Sequence, residues 1–150
     1  CGYCLFRDEC YAYKNSMQNQ LPVKLKKTKI KERFFHYYII EYNGKYLMGQ
    51  RDHGIWNGLY EFPLIETEMA HPKENVPFLE KNTRLSKKSD SFKHLLTHRI
   101  LWLNFYHYQT DSKHFTRLMN EFDFDAYSYE EMLTLPKPKS IVNYLQHDGF

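Results

Sequence analysis

Three cysteines, Cys1, Cys4 and Cys10, are the first residues whose type and spacing point to chemistry. Soft thiolates this close together select zinc or an iron–sulfur cluster, and both take four protein ligands. An odd number crowded at one end is a poor disulfide framework. The set is one ligand short, so a fourth is expected upstream and the chain is expected to belong to a longer protein. On these residues alone, a cluster, a zinc knuckle and three incidental thiols all stay open. His36, His53, His71, His107, His114 and His147 have no metal-ligand spacing.

Two other groups carry charge or hydrogen-bonding capacity. Lys24, Lys26, Lys27, Lys29, Lys31 and Arg33 form a basic run suited to phosphates or simply to water. Thr97 and His98, flanked by Lys93 and Arg99, interrupt an aromatic-rich stretch. By residue type alone they read as a half-buried strand with a satisfied histidine.

Residues 11–32 are polar and then basic, and read as an exposed linker that follows the cysteine segment 1–10. The folded unit is expected over 33–150. Phe34 to Tyr42 and Lys45 to Gln50 flank Asn43-Gly44, a strong hairpin signal. Gly54, Gly58 and Pro63 punctuate Ile55, Trp56, Leu59, Tyr60, Phe62 and Leu64, which predicts a turn leading into a strand whose aromatic rings belong to the core. A short helix is expected over 74–82, a surface loop over 81–90, and one bent strand or two paired ones over 92–108. Beyond Asp111 the pattern predicts a helix through Leu118, a strand near Ala126 to Tyr129, a short helix from Glu130 to Leu133, and a last helix after Lys139. Strands first and scattered helices later imply an α+β fold, a mixed sheet flanked by helices.

With 150 residues, 42% of them apolar, the chain can bury one ordinary core. The net charge of +3 permits a polyanionic partner without requiring one. No run approaches the ~18 consecutive apolar residues of a membrane span, and residues 1–20 lack a signal-peptide layout. No membrane partner is therefore expected, and a cytoplasmic monomer is.

Four segments occur in the order found in adenine DNA glycosylases of the MutY family. Cys1-x2-Cys4-x5-Cys10 resembles the last three ligands of the C-x6-C-x2-C-x5-C loop that holds a 4Fe–4S cluster in that superfamily. Gly54-Ile55-Trp56-Asn57-Gly58-Leu59-Tyr60-Glu61-Phe62-Pro63, then Phe92-Lys93-His94-Leu95-Leu96-Thr97-His98, then Leu135-Pro136-Lys137-Pro138 resemble the carboxy-terminal domain. Leu21-Pro22-Val23-Lys24 is similar to the interdomain connector. The resemblance implies a Nudix-like domain that reads 8-oxoguanine opposite adenine in double-stranded DNA during base excision repair.

By register, the family's Phe-Ser-His recognition loop falls on Leu96, Thr97 and His98. Thr97 keeps the hydroxyl, whereas Leu96 loses the aromatic face. Lys93, Arg99, Lys24, Lys26 and Lys27 are the candidate backbone contacts, and Cys1, Cys4 and Cys10 the candidate cluster ligands. The catalytic glutamate and aspartate belong in that family to a helical domain preceding Cys1, so this chain alone is expected to be inactive.

Two rival readings accompany it. A Nudix hydrolase of oxidised nucleotides needs a G-x5-E-x7-R-E-x2-E-E-x-G helix whose carboxylates bind magnesium. Glu61, Glu66 and Glu68 follow Gly58, but no Arg-Glu with following Glu-Glu does. A protein-docking module without catalysis is the other, since a fold does not fix a function.

Overall fold

A computed structural model describes residues 1–23, 30–70, 75–81 and 83–146. The basic positions Lys24, Lys26 and Lys27 lie outside the described residues. The amino-terminal segment is a series of turns followed by one short helix, α1 (Tyr11–Lys14).

Strand β1 (Lys31–Tyr42) and strand β7 (Arg99–Gln109) run parallel side by side, in register from Lys31 opposite Arg99 to Glu41 opposite Gln109. The remaining strands attach antiparallel to this pair. β2 (Lys45–Gln50) and β4 (Leu64–Thr67) pair with β1, while β5 (Arg84–Lys88) and β6 (Phe92–Leu95) pair with β7. β3 (Tyr60–Glu61) and β8 (Asp125–Ser128) extend the sheet from β2. The result is a mixed sheet flanked by short helices, the α+β architecture that the sequence predicts.

Local chemistry explains the joints. Asn43 and Gly44 both adopt positive φ, 49° and 70°, as a tight hairpin turn demands. Helix α2 (Ser112–Phe122) starts where the Asp111 carboxylate accepts the His114 N–H at 2.8 Å, and it ends on a left-handed Asp123. Helix α3 (Tyr129–Thr134) carries a capping box between Ser128 and Glu131. Its carboxyl end is closed by Lys137, whose ammonium donates to the carbonyls of Met132, Leu133 and Leu135 at 2.7, 3.0 and 2.8 Å. Helix α4 (Lys139–Tyr144) follows Pro138 at once.

Because side chains alternate across a strand, β1 and β7 build two cores. On one face Phe35, Tyr37 and Ile39 join Leu101, Leu103 and Phe105, covered by Met132, Ile141 and Tyr144 from the last two helices. On the other, Tyr38, Ile40 and Tyr106 pack under Phe115 and Leu118 of α2 and under Phe78. Phe62 is buried and Trp56 and Tyr60 are packed against the first core, as expected of those rings.

Two segments differ from expectation. Residues 75–81 form turns rather than a helix: Pro77 withholds a donor and restricts the residue before it, while Phe78 drops between Tyr38, Phe122 and Phe124. The supposed loop at 81–90 contains β5, every residue of which is exposed. It is a strand because β7 offers it an edge, with an irregularity between Leu85 and Lys87, and not because of its own pattern.

His107 projects from β7 into the first core, its Nε2 2.7 Å from the Tyr144 hydroxyl. Burial, with a smaller contribution from Lys87, lowers its pKa from 6.5 to about 4. The unfolded chain therefore takes up a proton between those values that the folded chain refuses, so stability drops as pH falls through that window. Urea unfolding at pH 7 and pH 4.5 should show about 2–3 kcal/mol of this loss in the parent chain. The loss should be smaller by that share in His107→Gln, which does not titrate.

Candidate functional site

The stretch carrying Leu96, Thr97 and His98 folds as a hairpin. β6 leaves the sheet at Leu95, and β7 begins at Arg99. The turn is closed by the Leu96 N–H donating to the Arg99 carbonyl at 2.9 Å, and it is tied to the start of β1 by the Lys31 N–H donating to the His98 carbonyl at 3.4 Å. Leu96 packs against the first core, whereas Thr97 and His98 are exposed at the tip. The half-buried strand that residue type alone suggests is therefore replaced by a projecting turn with an apolar root. Lys93 and Arg99 are both exposed on the arms of this hairpin, and the Lys93 ammonium lies 5.5 Å from the centre of the Trp102 ring.

What holds the root is a loop that the sequence punctuates with glycine. Gly54, Trp56 and Gly58 all have positive φ, and for a residue as bulky as Trp56 the value of 66° is strained. The strained turn inserts the indole edge-on between Phe35, at 5.9 Å, and His94 of β6, at 5.7 Å. The Tyr60 N–H donates to the Pro136 carbonyl at 2.8 Å. Segments 54–63, 92–98 and 135–138, far apart in the chain, thus meet on one face of the sheet.

A second constellation lies at the end of β2. Arg51 is buried, and its guanidinium donates to Glu61 Oε1 at 2.8 Å, to Glu66, and to the His53 carbonyl at 2.9 Å. Tyr37 donates its hydroxyl to the other Glu61 oxygen at 3.3 Å. Burial pushes the Glu61 carboxyl up, against the pull of Arg51. Burial also opposes the Arg51 charge, but its bonds to Glu66 and Glu61 outweigh that and hold the guanidinium above its ordinary value. Arg51, Glu61 and Glu66 line a cleft of about 570 Å³ with Phe78, Phe122 and Phe124.

For hydrolysis with magnesium, such a cleft would have to present free carboxylate oxygens together. Here both glutamates are committed to Arg51, and among the described residues no three His, Cys, Asp or Glu side chains are grouped to hold a metal. Glu61 and Glu66 stand out in the sequence, whereas Arg51 does not. The available signal was a charged residue directly following an apolar strand.

Cys1 and Cys4 are exposed, Cys10 is partly exposed, and all three thiols are free. Their chemistry suits an iron–sulfur cluster, but among the described residues the three thiols are not grouped to hold a metal and form an incomplete ligand set. No helix among the described residues is long and apolar enough to cross a membrane.

A family model described as NUDIX domain matches residues 36–147. Among solved structures, the chain is similar to the solution structure of the E. coli ORF135 protein, with 20% identity and a TM-score of 0.53. That similarity covers 78% of this chain and 88% of the other, and at this identity it speaks to the fold.

The Arg51 arrangement makes one prediction. Removing the guanidinium in Arg51→Ala leaves Glu61 buried beside Glu66 without a counter-charge, at a cost of about 3–5 kcal/mol near neutral pH. Because acid neutralises Glu61, the deficit should shrink as pH falls through the carboxylate range. Equilibrium unfolding of the parent and variant at pH 7.5 and pH 4.5 reads both effects, and an equal deficit at the two values would refute the ion-pair account.

Proposed function

From a chain that belongs to the NUDIX domain family and whose cleft glutamates are both tied to an arginine, we propose a reader of damaged DNA rather than a hydrolase. The chain is the 8-oxoguanine-recognising part of an adenine DNA glycosylase acting in base excision repair. The observation that carries this reading is the exposed Thr97-His98 tip, rooted in the core through Leu96 and flanked by Lys93 and Arg99.

The chemistry suits the lesion. Oxidation turns guanine N7 from an acceptor into a donor and adds an acceptor at O8. A threonine hydroxyl supplies both a donor and an acceptor, and exposed backbone N–H and C=O groups at a turn supply more. Lys93 and Arg99 contribute attraction to phosphates, which positions the duplex without reading sequence. In this reading, cleavage of the adenine glycosidic bond belongs to a separate helical domain of the kind found in the resembled family. Cys1, Cys4 and Cys10 are the part of its 4Fe–4S site present here, and this chain by itself breaks no bond.

Binding of this chain to duplexes carrying 8-oxoguanine or guanine opposite adenine, at 50 and 150 mM salt, tests the proposal. The oxidised duplex should bind more tightly, and Thr97→Ala should lower that preference by about 5- to 100-fold, the range of a single base-edge contact. Arg99→Ala should weaken both duplexes alike and reduce the salt dependence by about one phosphate contact. No preference for the oxidised base, or magnesium-dependent hydrolysis of 8-oxo-dGTP by the parent chain, would overturn the reading.

A further inference from the structure

Beside the hairpin tip, the sheet carries an unused edge. β6 pairs with β7 from Phe92 opposite Leu103 to Leu95 opposite Ile100, and among the described residues no strand lies on its other side. The Leu96 N–H bond to the Arg99 carbonyl sets the phase of the ladder. Since bonded and non-bonded pairs alternate in an antiparallel ladder, Lys93 and Leu95 direct both their N–H and their C=O groups outward. Leu95 is 67% exposed on this strand.

A pocket of about 370 Å³ opens beside the same edge, between β6 and α4, lined by Phe92, His94, Leu103, Ser140, Asn143 and Tyr144. Ser140 is only 8% exposed, and its hydroxyl has no hydrogen-bond partner. A buried hydroxyl left unpaired is costly, and such groups in folded proteins call for an explanation such as a ligand. The charges of the surrounding elements are one-sided. Between Arg84 and Gln109 and in α4, Asp90 stands alone among the described residues against Arg84, Lys87, Lys88, Lys93, Arg99 and Lys139.

We propose that this edge binds an extended, acidic peptide segment of a partner protein as an added strand beside β6, with one side chain entering the pocket to hydrogen-bond Ser140. The main-chain groups of Lys93 and Leu95 supply the ladder, and the pocket selects a side chain with an apolar stem and an amide or hydroxyl end. The residue facing His94 is the one whose side chain falls on the pocket side. A second copy of the chain is disfavoured because two basic edges repel. Nucleic acid is disfavoured because it has no alternating amide ladder, and its phosphates would meet the outward carbonyls of Lys93 and Leu95. The proposal rests on the main-chain edge and the Ser140 pocket rather than on the tip, and shares with base recognition only the exposed Lys93 side chain.

The test uses the ¹⁵N-labelled chain and the acetylated, amidated heptapeptide EVDQDVE, whose central glutamine is the pocket residue. Titration should shift the amides of Lys93 and Leu95 and slow their hydrogen exchange, and replacing the glutamine by alanine should weaken binding about fivefold. Ser140→Ala should weaken binding of the parent peptide by the same factor, cause no further loss with the alanine peptide, and leave thermal stability unchanged or raised. Backbone N-methylation of the peptide's two aspartates should abolish binding while leaving the protein untouched. Unprotected Lys93 and Leu95 amides, or an affinity indifferent to Ser140, would overturn the proposal. So would self-association in sedimentation as the source of the protection, or duplex DNA protecting those amides with a Ser140 dependence that the peptide lacks.

Discussion

Parallel pairing of β1 with β7 is the constraint from which the rest of the molecule follows. Parallel neighbours cannot be joined by a tight turn, so the long run from Asn43 to His98 separates the two strands and supplies β2 to β6, which attach antiparallel around them. Once the two strands are aligned, each supplies alternate side chains to both cores, and every other strand needs only a short contact with one of them or with β2. The pairing also begins at Lys31 and Arg99, directly beside the hairpin tip. The tip is therefore anchored by the two best-buried strands of the fold, although its own residues are in water.

The positioning of that tip depends on an apparently expensive choice. Trp56 accepts a left-handed backbone that costs an L-residue of its bulk about 1–2 kcal/mol. In return the indole reaches both Phe35 of the central strand and His94 of the hairpin arm. Lys137 acts in a comparable way at a distance, satisfying three carbonyls at the end of α3 so that Pro136 can accept from Tyr60. The Gly54–Pro63, Phe92–His98 and Leu135–Pro138 segments are parts of one support, held by contacts that are long in sequence and short in space.

Features written in local chemistry were legible before the fold was known. Asn43-Gly44 specifies its turn through two positive φ angles, and the helix after Asp111 and the short helix around Glu130 to Leu133 form where their patterns place them. What could not be read was decided by partners. β5 is exposed throughout and becomes a strand by borrowing the edge of β7, and residues 75–81 carry apolar side chains that pack without forming a helix. At the candidate site, the hairpin residues were found through a resemblance rather than from their types. Arg51 was missed because Glu61 and Glu66 become its partners only when β2, β3 and β4 are assembled.

The distance in sequence between β1 and β7 also sets the tempo of folding. The β1–β2 hairpin is local and can form in about 1–10 μs, but β1 is then half a sheet, with Phe35, Tyr37 and Ile39 facing solvent until β7 arrives. Closing so long an intervening loop before any reward is collected places such topologies in the slower range, roughly milliseconds to seconds. During that wait the apolar run of β1 is an open template for any extended chain nearby, so the interval before closure is when this protein is most exposed to aggregation.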